Sequence, residues 1–156
     1  MIYSYRRRGC FIHAPRTGGT RLTEALQSLA PEAVADVLWL KHASRAELPE
    51  PARRLRCFTL TRPIDTVRRS FYRQTVDWHL SRRPETVATV QWHEYAARVA
   101  GLTWEEFDRS DLFPRSLDRW TEGLDAVFRY EDRPWPEIAA FCRVDPGRLA
   151  GLMQAT

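Results

Sequence analysis

Lysine is almost missing from this chain. Of 24 Lys and Arg residues, Lys41 is the one lysine and the other 23 are arginine. No Gly-Lys pair occurs, which excludes a Walker A loop, since that loop needs Gly-Lys followed by Ser or Thr. G-x-G-x-x-G is also absent, which excludes the dinucleotide fingerprint. Cysteine is scarce: Cys10, Cys57 and Cys142 are an odd number and form no C-x-x-C pair. They fall in predicted strands or a core helix, where cysteine acts as a small hydrophobe, and a reducing compartment without structural disulfides is the reading. The four histidines do not pair at ligand spacing, so no metal site is expected. No apolar run approaches the roughly 20 residues that span a bilayer. The apolar stretch after Arg6-Arg7-Arg8 runs only from Cys10 to Ala14, too short for a signal-peptide core, and a cytoplasmic location is the expectation.

What is present fits one domain: 156 residues, 44% hydrophobic and 28% charged. A net charge of +4 favours anionic ligands. The arginines are dispersed and no recognition helix or RNA-binding motif is found, so nucleic acid is not the expected partner.

The most informative segment is Phe11-Ile12-His13-Ala14-Pro15-Arg16-Thr17-Gly18-Gly19-Thr20-Arg21-Leu22. An apolar strand runs into a double-glycine turn and then into a helical pattern. The glycines open backbone angles closed to other residues. The helix start offers free N–H groups and a positive dipole end. With Arg16, these make an anion cradle suited to a phosphate or a sulfate ester.

A second strand, Leu55 to Thr61, delivers Arg62 and then Pro63, which suits the first turn of a helix. Ser70 follows about two helical turns on. A guanidinium fork and a hydroxyl so placed can hold one phosphate from two sides. The alternative for the pair is a surface salt bridge and a serine on a solvated face.

The loop resembles the 5′-phosphosulfate loop of sulfotransferases, roughly P-[KR]-[ST]-G-[GT]-[ST]. Arg62 and Ser70 have the spacing of the family's Arg and Ser that grip the 3′-phosphate of 3′-phosphoadenosine 5′-phosphosulfate (PAPS). Asp36 to His42, followed by Ala43 to Pro49, resembles the K-T-H-x-P-x-x-L-L-P stretch of cytosolic sulfotransferases, whose histidine is the catalytic base. Here Lys41 and His42 are adjacent, without the intervening threonine; a structural histidine is the other reading. Ala126 to Asp132 resembles the strand that ends in Tyr-Glu-Asp. There Tyr130 would meet the adenine edge or close the phosphate pocket, while Glu131 and Asp132 read as ordinary capping carboxylates. The four segments occur in family order, at 10–22, 37–49, 56–72 and 126–142.

The resemblance implies a P-loop NTPase-like sulfotransferase fold, a three-layer α/β sandwich with a central parallel sheet. It implies PAPS as sulfuryl donor and a hydroxyl or amine acceptor on a small molecule, glycan or lipid. Pro15, Arg16, Thr17, Gly18, Gly19, Thr20, Arg21, Arg62, Ser70 and Tyr130 would bind the nucleotide; Arg16 and His42 would serve catalysis. The chain departs from the cytosolic branch in two ways. The C-terminal R-K-G-x-x-G segment has no counterpart, and the aromatic residue after the loop threonine is Arg21. The competing readings are a non-catalytic PAPS-binding module and a P-loop-like nucleotide kinase.

Periodicity independently predicts alternating strands and helices. Strands are expected near 9–14, 36–41, 56–61 and 125–130. Helices are expected near 20–30, from 63 to the Arg82-Arg83-Pro84 stop, at 86–100, from a cap at Thr103 or Leu102, at 114–122, at 134–142 and from Asp145. Such alternation predicts a parallel sheet covered on both faces, with ligands at the C-terminal strand ends. Arg16, His42, Arg62 and Tyr130 all fall there. The segment 73–125 carries no motif, and its aromatics (Trp78, Trp92, Tyr95 and Trp104 among them) read as core or as an acceptor wall, with His79 and His93 as reserve bases.

Overall fold

A computed structural model describes residues 2–4, 6–35, 42–81 and 90–154. The predicted strand at 36–41, the stop at 82–84 and the start of the 86–100 helix lie outside the described residues. The chain divides into two compact units, residues 1–62 with 117–156, and residues 63–116.

The first unit is mixed α/β. Its strands are β1 (Ile2–Ser4), β2 (Gly9–Ile12), β3 (Val34–Ala35), β4 (Arg56–Thr61) and β5 (Ala126–Arg129), in the order β3-β1-β2-β4-β5. β2, β4 and β5 are parallel, as alternation with helices predicts. β1 is antiparallel to both β2 and β3, so the sheet is mixed rather than wholly parallel. The reason is local: the chain turns back at its arginine-rich start, with Arg8 in the left-handed region at φ 57. Arg7 steadies this hairpin, donating from Nε to Glu32 at 2.7 Å and to the carbonyls of Leu29 and Arg143.

One sheet face carries Ile2, Phe11, Phe58 and Leu60. It packs against α1 (Gly19–Leu29), α7 (Trp135–Cys142) and α8 (Pro146–Gln154). Leu22, Ala25 and Leu26 of α1 recur at helical spacing and are buried there. Burying such side chains contributes on the order of 2 kcal/mol each. The opposite face (Cys10, Ile12, Cys57 and Thr59) is equally buried. α2 (Glu50–Arg53) precedes β4, and α6 (Asp118–Thr121) packs beside it. Cys10 and Cys57 are register partners on β2 and β4, and all three cysteines are buried free thiols. Burial pushes the Cys142 thiol up to about 12.

The second unit is helical: α3 (Ile64–Leu80), α4 (Val90–Ala100) and α5 (Trp104–Arg109). α5 starts with a full capping box, Thr103 and Glu106 each bonding the other's backbone N–H. Phe71, Tyr72, Tyr95, Phe107 and Phe113 form its aromatic core, with Phe71 and Phe113 centroids 4.3 Å apart. Arg68 is buried beneath them and donates to the carbonyls of Phe107, Asp108, Ser110, Phe113 and Pro114 and to the Asp108 carboxylate. No helix among the described residues is long and apolar enough to cross a membrane.

Candidate anion-binding site

Three neighbouring parallel strands end together. The register sets Ile12 against Thr59 and Thr61 against Arg129. The chain therefore leaves β2 through His13 and Ala14, β4 through Arg62 and β5 through Tyr130, on one rim. Two threonines of β4 stitch this rim: Thr59 Oγ1 donates to the Ile12 carbonyl at 2.7 Å and Thr61 Oγ1 to the Phe128 carbonyl at 3.2 Å.

The turn after β2 is built by two left-handed residues, Arg16 at φ 62 and Gly18 at φ 87, on either side of Thr17. Left-handed residues in a tight turn are a recurring element of anion-binding backbone concavities. For Arg16 the left-handed backbone carries a strain of about 1 kcal/mol that the surroundings must hold. Thr17 holds it from inside: fully buried, it donates its hydroxyl to the Ala14 carbonyl at 2.9 Å. Pro15 is also buried. Gly18 is the N-cap of α1 and makes no side-chain cap, so the first amides of the helix have no intrahelical partner.

Both glycines are required by their neighbours. A Cβ on Gly18 would stand 2.5 Å from the Tyr130 ring, and one on Gly19 would stand 2.1 Å from the His13 ring. The turn is thus gripped between two aromatic side chains. Tyr130 is itself set edge-on to buried Trp135, centroids 5.6 Å apart, and the Arg62 guanidinium lies 4.9 Å from its ring centre. Arg62, Tyr130 and Gly18 therefore form one contiguous corner. Arg62 donates from Nε to Glu131 at 3.0 Å, with both side chains about a third exposed, 30% and 38%. Burial first, and the like charge of Arg62 second, lower the pKa of Arg16. Two guanidinium groups thus share this rim, and an anion between them would relieve their repulsion.

His42 joins from the next segment. Its Nδ1 is 2.9 Å from the His13 carbonyl oxygen. A carbonyl only accepts, so in the neutral ring Nδ1 carries the proton and Nε2 is left as a proton acceptor. The His13 and His42 rings meet edge to face at 4.8 Å. Trp120, buried on α6, donates its indole N–H to the His42 carbonyl at 2.8 Å. After His42, Ser44 and Glu47 form a second capping box, and Arg119 reaches Glu47 at 2.6 Å. Bonds from the Ser44 amide and hydroxyl, more than the Arg119 charge, hold the Glu47 carboxyl below its ordinary pKa.

The remaining predicted residues are placed as follows. Thr20 is exposed in the first turn of α1. Arg21 donates through two nitrogens to the Leu152 carbonyl, at 3.3 and 3.2 Å, and so ties α1 to the C-terminal helix. Ser70 is half-buried on α3 of the second unit.

His13 and Trp120 carry parts of this geometry that sequence reading passed over, and Glu131, read as a capping carboxylate, pairs with Arg62 instead. Glu131 had a signal, lying directly after Tyr130 at the end of the strand paired with β4. Trp120 had none, because only the tertiary fold brings it to His42. No protein-family model, curated protein or solved structure matches this chain.

Proposed function

We propose that this chain is a PAPS-dependent sulfotransferase, a short member of the P-loop-like sulfotransferase fold, moving a sulfuryl group to a hydroxyl or amine acceptor. The observation that carries the reading is the single corner made by Gly18, Tyr130 and Arg62. The glycine turn and Arg62 both touch the Tyr130 ring, and the strands that lead into them, β2 and β4, are neighbours in the sheet. A nucleotide with an anionic group at each end suits two such cradles.

In this reading the amides of residues 17–20 and the Thr20 hydroxyl hold the 5′-phosphate, and Arg62 holds the 3′-phosphate. Ser70 enters on its spacing from Arg62 alone, and Arg21 on its place after the loop. Arg16 steadies the charge on the sulfonate and on the leaving phosphate oxygen. The acceptor oxygen or nitrogen bonds to sulfur, the bond from sulfur to the bridging phosphate oxygen breaks, and 3′-phosphoadenosine 5′-phosphate (PAP) leaves. The acceptor's proton goes to Nε2 of His42, whose other nitrogen is already engaged with the His13 carbonyl. In-line positioning and charge stabilisation supply the rate, as in phosphoryl transfer.

The test is transfer from labelled PAPS to a panel of phenols, glycans and lipid alcohols. Transfer to at least one acceptor is expected, with His42→Ala lowering the rate by about a hundredfold or more at unchanged PAP affinity. PAP binding without transfer to any acceptor, in wild type and His42→Ala alike, would mark a non-catalytic nucleotide-binding module.

A further inference from the structure

Arg62 is the cation of the second cradle, yet it already holds an anion. Its Nε–H is given to Glu131 at 3.0 Å, and its plane lies over Tyr130. Glu131 follows Tyr130 in sequence and is held on a short 3₁₀ turn, Tyr130–Asp132, so its backbone is fixed to the same rim. Three other arginines of the fold are used differently. Arg7, Arg21 and Arg68 give most of their donors to backbone carbonyls, which no soluble anion displaces without unmaking a helix end or a loop. Arg62 gives its Nε–H to a side-chain carboxylate that is half-open to water, and unlike the surface pairs Arg54–Glu50, Arg115–Asp111 and Arg119–Glu47 it does so over a tyrosine ring at the strand rim. A carboxylate there does two things. It keeps the guanidinium in place over the ring when no ligand is bound. It also opposes a second anion arriving at the same fork.

We infer that Glu131 is a specificity-determining residue, an internal stand-in anion that must share Arg62 with the ligand. This rests on the PAPS reading above, and it concerns which anions the site accepts. A lone anion meeting Arg62 faces the carboxylate with nothing else to hold it. A nucleotide anchored by its 5′-phosphate in the glycine turn presents its 3′-phosphate at high effective concentration and overcomes the competitor. Glu131 therefore filters for ligands with two anionic ends. An exposed ion pair is a weak competitor, so the effect is a graded one that falls with added salt.

The experiment compares PAP and AMP, which lacks the 3′-phosphate, by calorimetry on wild type and Glu131→Gln at low salt. Glutamine keeps the shape and removes the charge. PAP affinity is expected to rise about two- to fivefold, the range of an exposed ion pair, while AMP affinity is unchanged. Inorganic phosphate should become a measurably better competitor of PAP in the variant. Equal gains for PAP and AMP would show a general field effect and overturn the inference while leaving the nucleotide reading intact. An unchanged or weakened PAP affinity would do the same, marking Glu131 as a strut for Arg62. Failure of wild type to bind PAP would overturn both.

Discussion

Arg62 and Arg68 stand six residues apart and serve opposite ends. Arg68, in the helical unit, is buried, and its donors are consumed by five backbone carbonyls and one carboxylate. Arg62, in the sheet unit, is about a third exposed, with one ion pair and one ring. The first pattern is how a guanidinium organises a loop that has no regular hydrogen bonding of its own. The second leaves part of a guanidinium open to solvent. Main-chain acceptors on one side and a half-exposed carboxylate on the other are the difference between the two.

The sharpest way to break that contrast is to remove each arginine and measure unfolding by denaturant. Arg68→Ala should destabilise by about 3 kcal/mol or more, because it leaves several buried carbonyls without donors. The same change at Arg62 should stay within about 1 kcal/mol, the range of exposed ion pairs. Similar losses at both sites would erase the distinction. A smaller effect sharpens the sheet side of the comparison. Gly19→Ala drives a Cβ into the buried His13 ring, so a loss of about 2 kcal/mol is expected. It should carry nucleotide affinity down with it, because the turn must shift; intact stability and affinity would show the grip to be loose.

Much of this molecule was legible before its fold was known. The expected strands at 9–14, 56–61 and 125–130 appear as β2, β4 and β5, because short apolar runs between turn signals have few other homes. The Thr103 cap was readable from Thr103 and Glu106 three residues apart. Arg62 and Tyr130 leave β4 and β5 on the rim where the turn after β2 lies, because parallel strands send their C-terminal ends to one side; the strand expected before His42 lies outside the described residues. β1 was hidden: its three residues beside Arg6-Arg7-Arg8 carry no strand signal of their own, and only pairing with β2 makes them a strand. Arg68 carries no role in the sequence reading. Its place beside Val67, and one turn beyond Ile64 on the inner helix face, was the clue that it points inward. Glu131 read as a capping carboxylate because its partner lies 69 residues away. Long-range pairing of this kind is set by sheet register, which local pattern does not encode.

The central claim is that the glycine turn and Arg62 clasp the two anionic ends of one nucleotide. Calorimetric titration of Arg62→Ala with PAP and with AMP tests it most directly. PAP affinity should fall about ten- to a hundredfold, the loss of a charged hydrogen-bond pair, with AMP affinity held within about twofold of wild type. Equal losses for the two nucleotides, or none for PAP, would contradict it.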